Sequence, residues 1–167
     1  MFEDYKTIKE REIPILSLLR QDARMKLTKI SKLTRIPVST IFDRIKNHED
    51  GLIKKHTTLI DFNKLGYHTR AKIMLKADKK DREKVKKHLM KCQSINSMYK
   101  INNGYDYMIE AIFTNIRELE DFIDSLEDDF KINAKEVYYI IEDIKREDFL
   151  SNPIKASLFG GKKNGAK

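Results

Sequence analysis

One cysteine in 167 residues, Cys92, leaves the chain no internal disulfide. It falls on the apolar face of an expected helix, where a core or half-buried thiol is the plain role. No apolar run reaches 18 residues, which excludes a membrane-spanning helix. The first residues, MFEDYKTIKERE, are too charged for a secretory signal. No Cys/His cluster, glycine-rich phosphate loop or Ser/His/Asp set occurs, and the four histidines His48, His56, His68 and His88 are scattered. These absences point away from an enzyme and away from a metal or cofactor. They point to a soluble, cytoplasmic protein with no membrane partner.

What the chain has is charge: 34 Lys and Arg against 26 Asp and Glu, a formal net charge of +8. It is unevenly placed. Residues 1–68 hold 14 basic and 9 acidic side chains, residues 69–150 hold 16 and 17, and residues 151–167 hold 4 and 0. A basic first part before a near-neutral second part is expected when only one domain meets a polyanion. Apolar residues make up 40% of the sequence, enough for two small cores.

Hydrophobic periodicity divides the chain further. Ile13, Ile15, Leu16, Leu18 and Leu19 form a helical stripe over 12–22, with Pro14 tolerable only in its first turn. Residues 27–34 form a second short helix, with Leu27, Ile30 and Leu33 or Thr34 inward. Ile36-Pro37 then breaks the helix, because the residue before proline is pushed out of the helical region. A third helix follows, with Ile41, Ile45, Val38 and His48 as its inner stripe and Gly51 as its stop. Leu52–Ile60 alternates and is Thr-containing, which predicts a strand or ribbon. Residues 61–67, DFNKLGY, read as a linker turn.

From Thr69 the period changes to two. Strands are expected over 69–77, 95–102, 105–113 and 136–144, and helices over 79–92 and 115–130, with Asn103-Gly104 as a hairpin turn. The order β-α-β-β-α-β is that of a ferredoxin-like sandwich. The fold class is therefore α+β: an N-terminal winged helix-turn-helix (residues 1–60), a linker (61–68), a ferredoxin-like βαββαβ domain (69–148) and a basic flexible tail (149–167).

Three short helices with a tight turn before the third can enter a major groove. The outward residues of the third helix are Ser39, Thr40, Asp43, Arg44, Lys46 and Asn47. Arg44 can fork onto guanine or phosphate, Asn47 can pair with adenine, and Ser39 and Thr40 suit phosphates or base edges. Arg20, Arg24, Lys26, Lys29, Lys32 and Arg35 surround them as backbone-positioning cations, and His56 on the expected wing can meet a phosphate. The plainer alternative is a solvated basic face on a small helical domain.

The stretch LTKISKLTRIPVSTIFDRIKNHEDGLI resembles the winged helix of the Lrp/AsnC transcription regulators, above all archaeal members with an IPxSTxxxRI pattern. INNGYDYMIEAIF resembles the Gly-x-x-Asp segment of the family's effector domain, and VYYIIEDIK its last strand. The resemblance covers residues 8–148. It implies sequence-specific binding of double-stranded DNA, with the recognition role falling on Ser39, Thr40 and Arg44. It also implies pairing of sheets into a homodimer and stacking into larger even assemblies such as an octamer. A free amino acid is the implied effector, held near Gly104, Tyr105, Asp106 and Tyr107. On residue chemistry alone, Gly104 can equally serve a left-handed turn and Asp106 can cap it. Two departures stand out: Pro37 where many members carry an N-capping serine, and Arg35 where many carry glycine.

The open sheet face is expected to carry Met74, Met98, Met108, Tyr138 and Ile140, too apolar to leave in water. Two other functions compete. A sequence-independent architectural DNA binder would suit the basic tail. A relative of the heme-pathway decarboxylases that share this fold would require basic and histidine residues converging on a cavity.

Overall fold

The computed structural model describes residues 12–49 and 51–154. The larger part of the expected tail, residues 155–167, lies outside the described residues, as do residues 1–11 and Asp50. The chain divides into two compact units. One is formed by the chain up to Leu59 together with the stretch from Ile144, and the other by Ile60–Asp143.

The first unit contains α1 (Ile13–Gln21), α2 (Leu27–Thr34) and α3 (Val38–Glu49). Pro14 sits in the first turn of α1, where its missing N–H costs nothing. The core is small: Ile15 and Leu18 from α1, Ile30 from α2 and Ile41 from α3, with Leu19, Met25, Leu27, Ile36 and Ile45 packed around them. Each fully buried aliphatic side chain contributes about 1.5–3 kcal/mol. An isolated eight-residue helix such as α2 would not persist in water, so these contacts hold it in place.

The turn between α2 and α3 is made without glycine. Thr34 donates its hydroxyl to the Ile30 carbonyl at 2.8 Å, and the Arg35 N–H donates to the Ser31 carbonyl at 2.8 Å. Arg35 itself is left-handed, with φ 57°. Pro37 stands one position before α3, and its carbonyl accepts the N–H of Ile41 at 3.0 Å. Val38, expected inward, is 39% exposed: it is the first residue of α3, at the end of the helix.

Residues 53–61 form no strand. The expected ribbon is not formed: among the described residues no strand pairs with this segment, which carries Lys54, Lys55 and His56 and is almost wholly exposed, and a two-stranded ribbon needs a second run. In the linker, Phe62–Leu65 forms a 3₁₀ turn. Its N-cap Asp61 accepts from the Asn63 N–H, and Gly66 at φ 88° closes it. The stretch after Asp143 belongs with the first unit. Arg20 holds it there: its Nε donates to the Phe149 carbonyl at 2.5 Å and its Nη2 to the Glu147 carbonyl at 3.0 Å. Arg20, expected beside DNA, is thus committed within its own chain.

The second unit is a four-stranded antiparallel sheet of β1 (Thr69–Ala77), β2 (Ile95–Lys100), β3 (Tyr107–Phe113) and β4 (Ile132–Tyr139), in the order β2-β3-β1-β4. It carries α4 (Arg82–Leu89) and α5 (Ile116–Asp129). One face buries Ala71, Ile73, Leu75, Ala77, Ile109 and Ala111 against Val85 and Leu89 of α4 and Leu119, Ile123 and Leu126 of α5. Asn115 caps α5, accepting the Glu118 N–H at 3.0 Å, and Glu118 reaches back to the Thr114 N–H at 3.1 Å. The Thr114 hydroxyl and amide together hold the Glu118 carboxyl below its ordinary pKa.

Several expectations shift: the helix expected over 79–92 is Arg82–Leu89, and the strands expected over 95–102 and 105–113 are Ile95–Lys100 and Tyr107–Phe113. The last strand starts four residues earlier than 136 and ends at Tyr139 rather than 144, because its alternation is satisfied by pairing with β1, from Ile132↔Ala77 to Tyr139↔Ala71. Met98, expected on the open face, faces inward. A register shift between Ile95 and Ser97 sets it opposite Ile109, and it packs against the buried cluster.

Arg35→Gly should leave stability unchanged or raise it by up to about 1 kcal/mol, since glycine takes the left-handed conformation without steric cost. The β-branched change Arg35→Val should lower it by about 1–2 kcal/mol. Urea unfolding midpoints of the two variants check this.

Candidate nucleic-acid interface and the Asn103–Asp106 turn

The sequence of α3 places its polar residues on one side. Ile41 is fully buried and Ile45 and His48 are half-buried, so the opposite side faces solvent. Ser39, Asp43, Lys46 and Asn47 are exposed there; Thr40 and Arg44 are half-buried at its flank. Lys32 and Arg35, at the end of α2 and in the turn, are exposed, as is Arg24 in the turn before α2. The helix therefore brings Ser39, Asp43, Lys46 and Asn47 together, with Thr40 and Arg44 along their edge. His56 lies outside any regular element and meets Glu49 at 3.3 Å, so a neighbouring carboxylate opposes its use on a phosphate. His48 is 3.8 Å from Glu12.

One residue of this face escaped the sequence reading. Phe42 is 55% exposed, although its neighbour Ile41 is fully buried. A signal existed: one residue turns a helix by about 100°, so Phe42 cannot share the meridian of Ile41.

In the second unit, Asn103 (φ 62°) and Gly104 (φ 89°) are both left-handed. That pair forms the tight bend between β2 and β3, as an Asn-Gly hairpin does. Asp106 then ties three elements together. Its N–H donates to the Leu75 carbonyl at 2.9 Å. Its Oδ2 accepts the Ala77 N–H at 3.1 Å, and its Oδ1 lies 2.8 Å from Nε of Arg82. The Tyr107 hydroxyl donates to the Arg82 carbonyl at 3.2 Å, and burial pushes that phenol above its ordinary pKa. Asp106 thus fixes the end of β1 and the start of α4, so a ligand ammonium would meet a carboxylate already engaged. Arg82, its partner, was not singled out by sequence, since nothing local connects residues 82 and 106.

Tyr105 points the other way. Its hydroxyl donates to Glu136 on β4, which also accepts from Tyr138. The two phenols, Tyr105 first, hold the Glu136 carboxyl below its usual range, and both phenol pKa values rise in return.

The sheet face away from the helices carries both apolar and charged groups. Met108 lies opposite Met74, and Glu110 opposite Lys72. Glu110 is buried, with its carboxylate 3.7 Å from Nε of Arg70, 3.8 Å from Nζ of Lys72 and 3.2 Å from the Asn96 amide. Arg70 also forks onto Asp143, which raises its pKa against the opposing effect of burial. Tyr138 is 53% exposed on this face, while Met74, Met108 and Ile140 are half-buried. The expected apolar face thus exists without Met98, and a charged group runs through its middle.

Among the described residues no group of three or more His, Cys, Asp or Glu is placed to hold a metal, and no helix is long and apolar enough to cross a membrane.

The sequence profile of the Lrp/AsnC ligand binding domain matches residues 70–149. An uncharacterised HTH-type transcriptional regulator of Pyrococcus furiosus is 30% identical over 140 residues, spanning 83% of this chain and 94% of that protein. The HTH-type transcriptional regulator FL11 of the same organism is 34% identical over 111 residues, 66% of this chain and 74% of the relative. Two solved structures share the fold. A transcriptional regulator from Neisseria meningitidis in complex with L-Met superposes with a TM-score of 0.77 at 22% identity, covering 84% of this chain and 94% of that one. AsnC of Escherichia coli superposes with a TM-score of 0.73 at 19% identity, covering 83% and 95%.

Asp106→Ala should destabilise the protein by about 1–3 kcal/mol without any ligand, because the Ala77 N–H and Arg82 both lose their partner. A urea midpoint equal to that of the parent would rule out the structural role assigned to Asp106.

Proposed function

Since the chain belongs to the Lrp/AsnC family of transcriptional regulators, we propose that it is a sequence-specific regulator that reads double-stranded DNA with α3. The observation that carries this is the α2–turn–α3 unit, whose third helix buries Ile41 and leaves Ser39, Asp43, Lys46 and Asn47 exposed beside exposed cations on α2 and in the turn. A helix so arranged fits the major groove. Asn47 is assigned to a base edge and Lys46 to the phosphate backbone. Ser39, Thr40 and Arg44 take the family's recognition positions. Asp43 can accept from a cytosine amine.

The protein acts as a homodimer or a larger even assembly in this reading, and it works in the cytoplasm on pseudo-palindromic sites. The open sheet face supports pairing, because Met74, Met108, Ile140 and Tyr138 lose apolar exposure only against another surface. A free amino acid is proposed as effector at the Gly104–Tyr107 turn; the L-Met complex of the Neisseria regulator supports this class of ligand. The Asp106 carboxylate and the Tyr105 hydroxyl are both engaged within the protein, so the turn's backbone groups are the assigned ligand contacts.

The test is selection of bound duplexes from a random pool at about 50 and 200 mM salt. A pseudo-palindromic consensus should survive the higher salt, while phosphate-only binding through 6–10 contacts weakens roughly 10³–10⁵-fold. Recovery of no consensus would favour the architectural reading. On the selected site, Asn47→Ala should cost about 1–3 kcal/mol and relax one base position. Lys46→Ala should weaken all sequences alike and reduce the salt slope by about one.

A further inference from the structure

Phe42 does not fit the polar reading of α3. A single exposed phenyl is ordinary on a protein surface. This one sits on the helix assigned to the groove, with Val38 one turn before it, also exposed, at 39% against 55%. Helical spacing makes Val38, Ser39 and Lys46 its surface neighbours, at i−4, i−3 and i+4. An apolar pair therefore borders the polar strip, next to a cation.

The surroundings point to one occupant. The first 68 residues carry five more basic than acidic side chains, and Lys32, Arg35 and Lys46 are exposed. Of these, Lys32 and Arg35 stand at the α2–α3 turn and Lys46 in the last turn of α3, so cations flank the helix at both ends, as suits a polyanion. The one apolar group that a DNA major groove offers is the C5-methyl of thymine, which distinguishes T·A from the other pairs by contact alone. We infer that Phe42, with Val38 beside it, is a specificity-determining residue of α3 that packs on a thymine methyl in each half-site. This rests on α3 being the recognition helix.

Uracil tests it, because it deletes that methyl and leaves the pairing edge unchanged. The probe is the highest-affinity duplex that the full-length chain selects from a random pool, with each thymine replaced in turn by uracil. One position per half-site should weaken binding by the full-length protein about fourfold, the worth of one buried methyl group. The salt slope should stay unchanged, since no phosphate contact is lost. Phe42→Ala should bind the thymine and uracil duplexes equally, and Phe42→Leu should keep part of the discrimination. Because the side chain is exposed, the variants should fold, which circular dichroism and the thermal midpoint verify.

Indifference of the parent protein to uracil at every position overturns the inference while leaving a sequence-specific regulator standing. So does a consensus without thymine, or a Phe42→Ala variant that discriminates as the parent does. Failure to recover any consensus removes the regulator reading itself, and this inference with it.

Discussion

The register of the central strand β1 is the constraint on which the second unit depends. β1 pairs on both edges, with β3 and with β4, and its side chains alternate between two unlike environments. Ala71, Ile73, Leu75 and Ala77 go to the helices, while Arg70, Lys72 and Met74 go to the open face. Lys76 lies on that open face as well, so a slip of one residue would bury three cations and expose the core. Asp106 guards against that slip. It holds the Leu75 carbonyl with its own N–H and the Ala77 N–H with its carboxylate, one residue from the start of β3.

The same register explains why charge and apolar surface coexist on the open face. With Lys72 opposite Glu110 and Arg70 beside it, a carboxylate is buried among cations and an amide rather than left alone. A buried carboxylate without partners would shift to its neutral form, and removing one partner would be strongly destabilising. The apolar groups Met74, Met108 and Tyr138 flank that cluster. A surface of this kind has both the hydrophobic area that pairing needs and a charge pattern that restricts which partner fits. Glu136 joins this face to the hairpin turn, since it accepts from both Tyr105 and Tyr138.

The first unit works with much less. Among the described residues, its buried apolar cluster is Ile15, Leu18, Ile30 and Ile41, a small core for three short helices. Arg35 accepts a left-handed conformation that glycine would take more easily, and in exchange keeps a cation in the turn before α3. Arg20 performs a structural task, fastening residues 147 and 149, that its charge alone did not foretell.

Much of this was legible in the sequence. The order of the elements, the break at Ile36-Pro37, the Asn103-Gly104 bend and the inward sets of β1 and α5 follow from local periodicity and turn chemistry, which act over a few residues. The family resemblance of the α2–α3 stretch was equally plain. What sequence did not determine depends on distant partners. Leu52–Ile60 alternates like a strand but pairs with no strand among the described residues. Met98 changed face because of one bulge against β3. Asp106, judged as a ligand contact or a turn cap, became a bridge only when β1 and Arg82 were brought to it. Local pattern determined which elements form; the tertiary structure decided which side chains meet, because pairing register and burial are set by residues far apart in the chain.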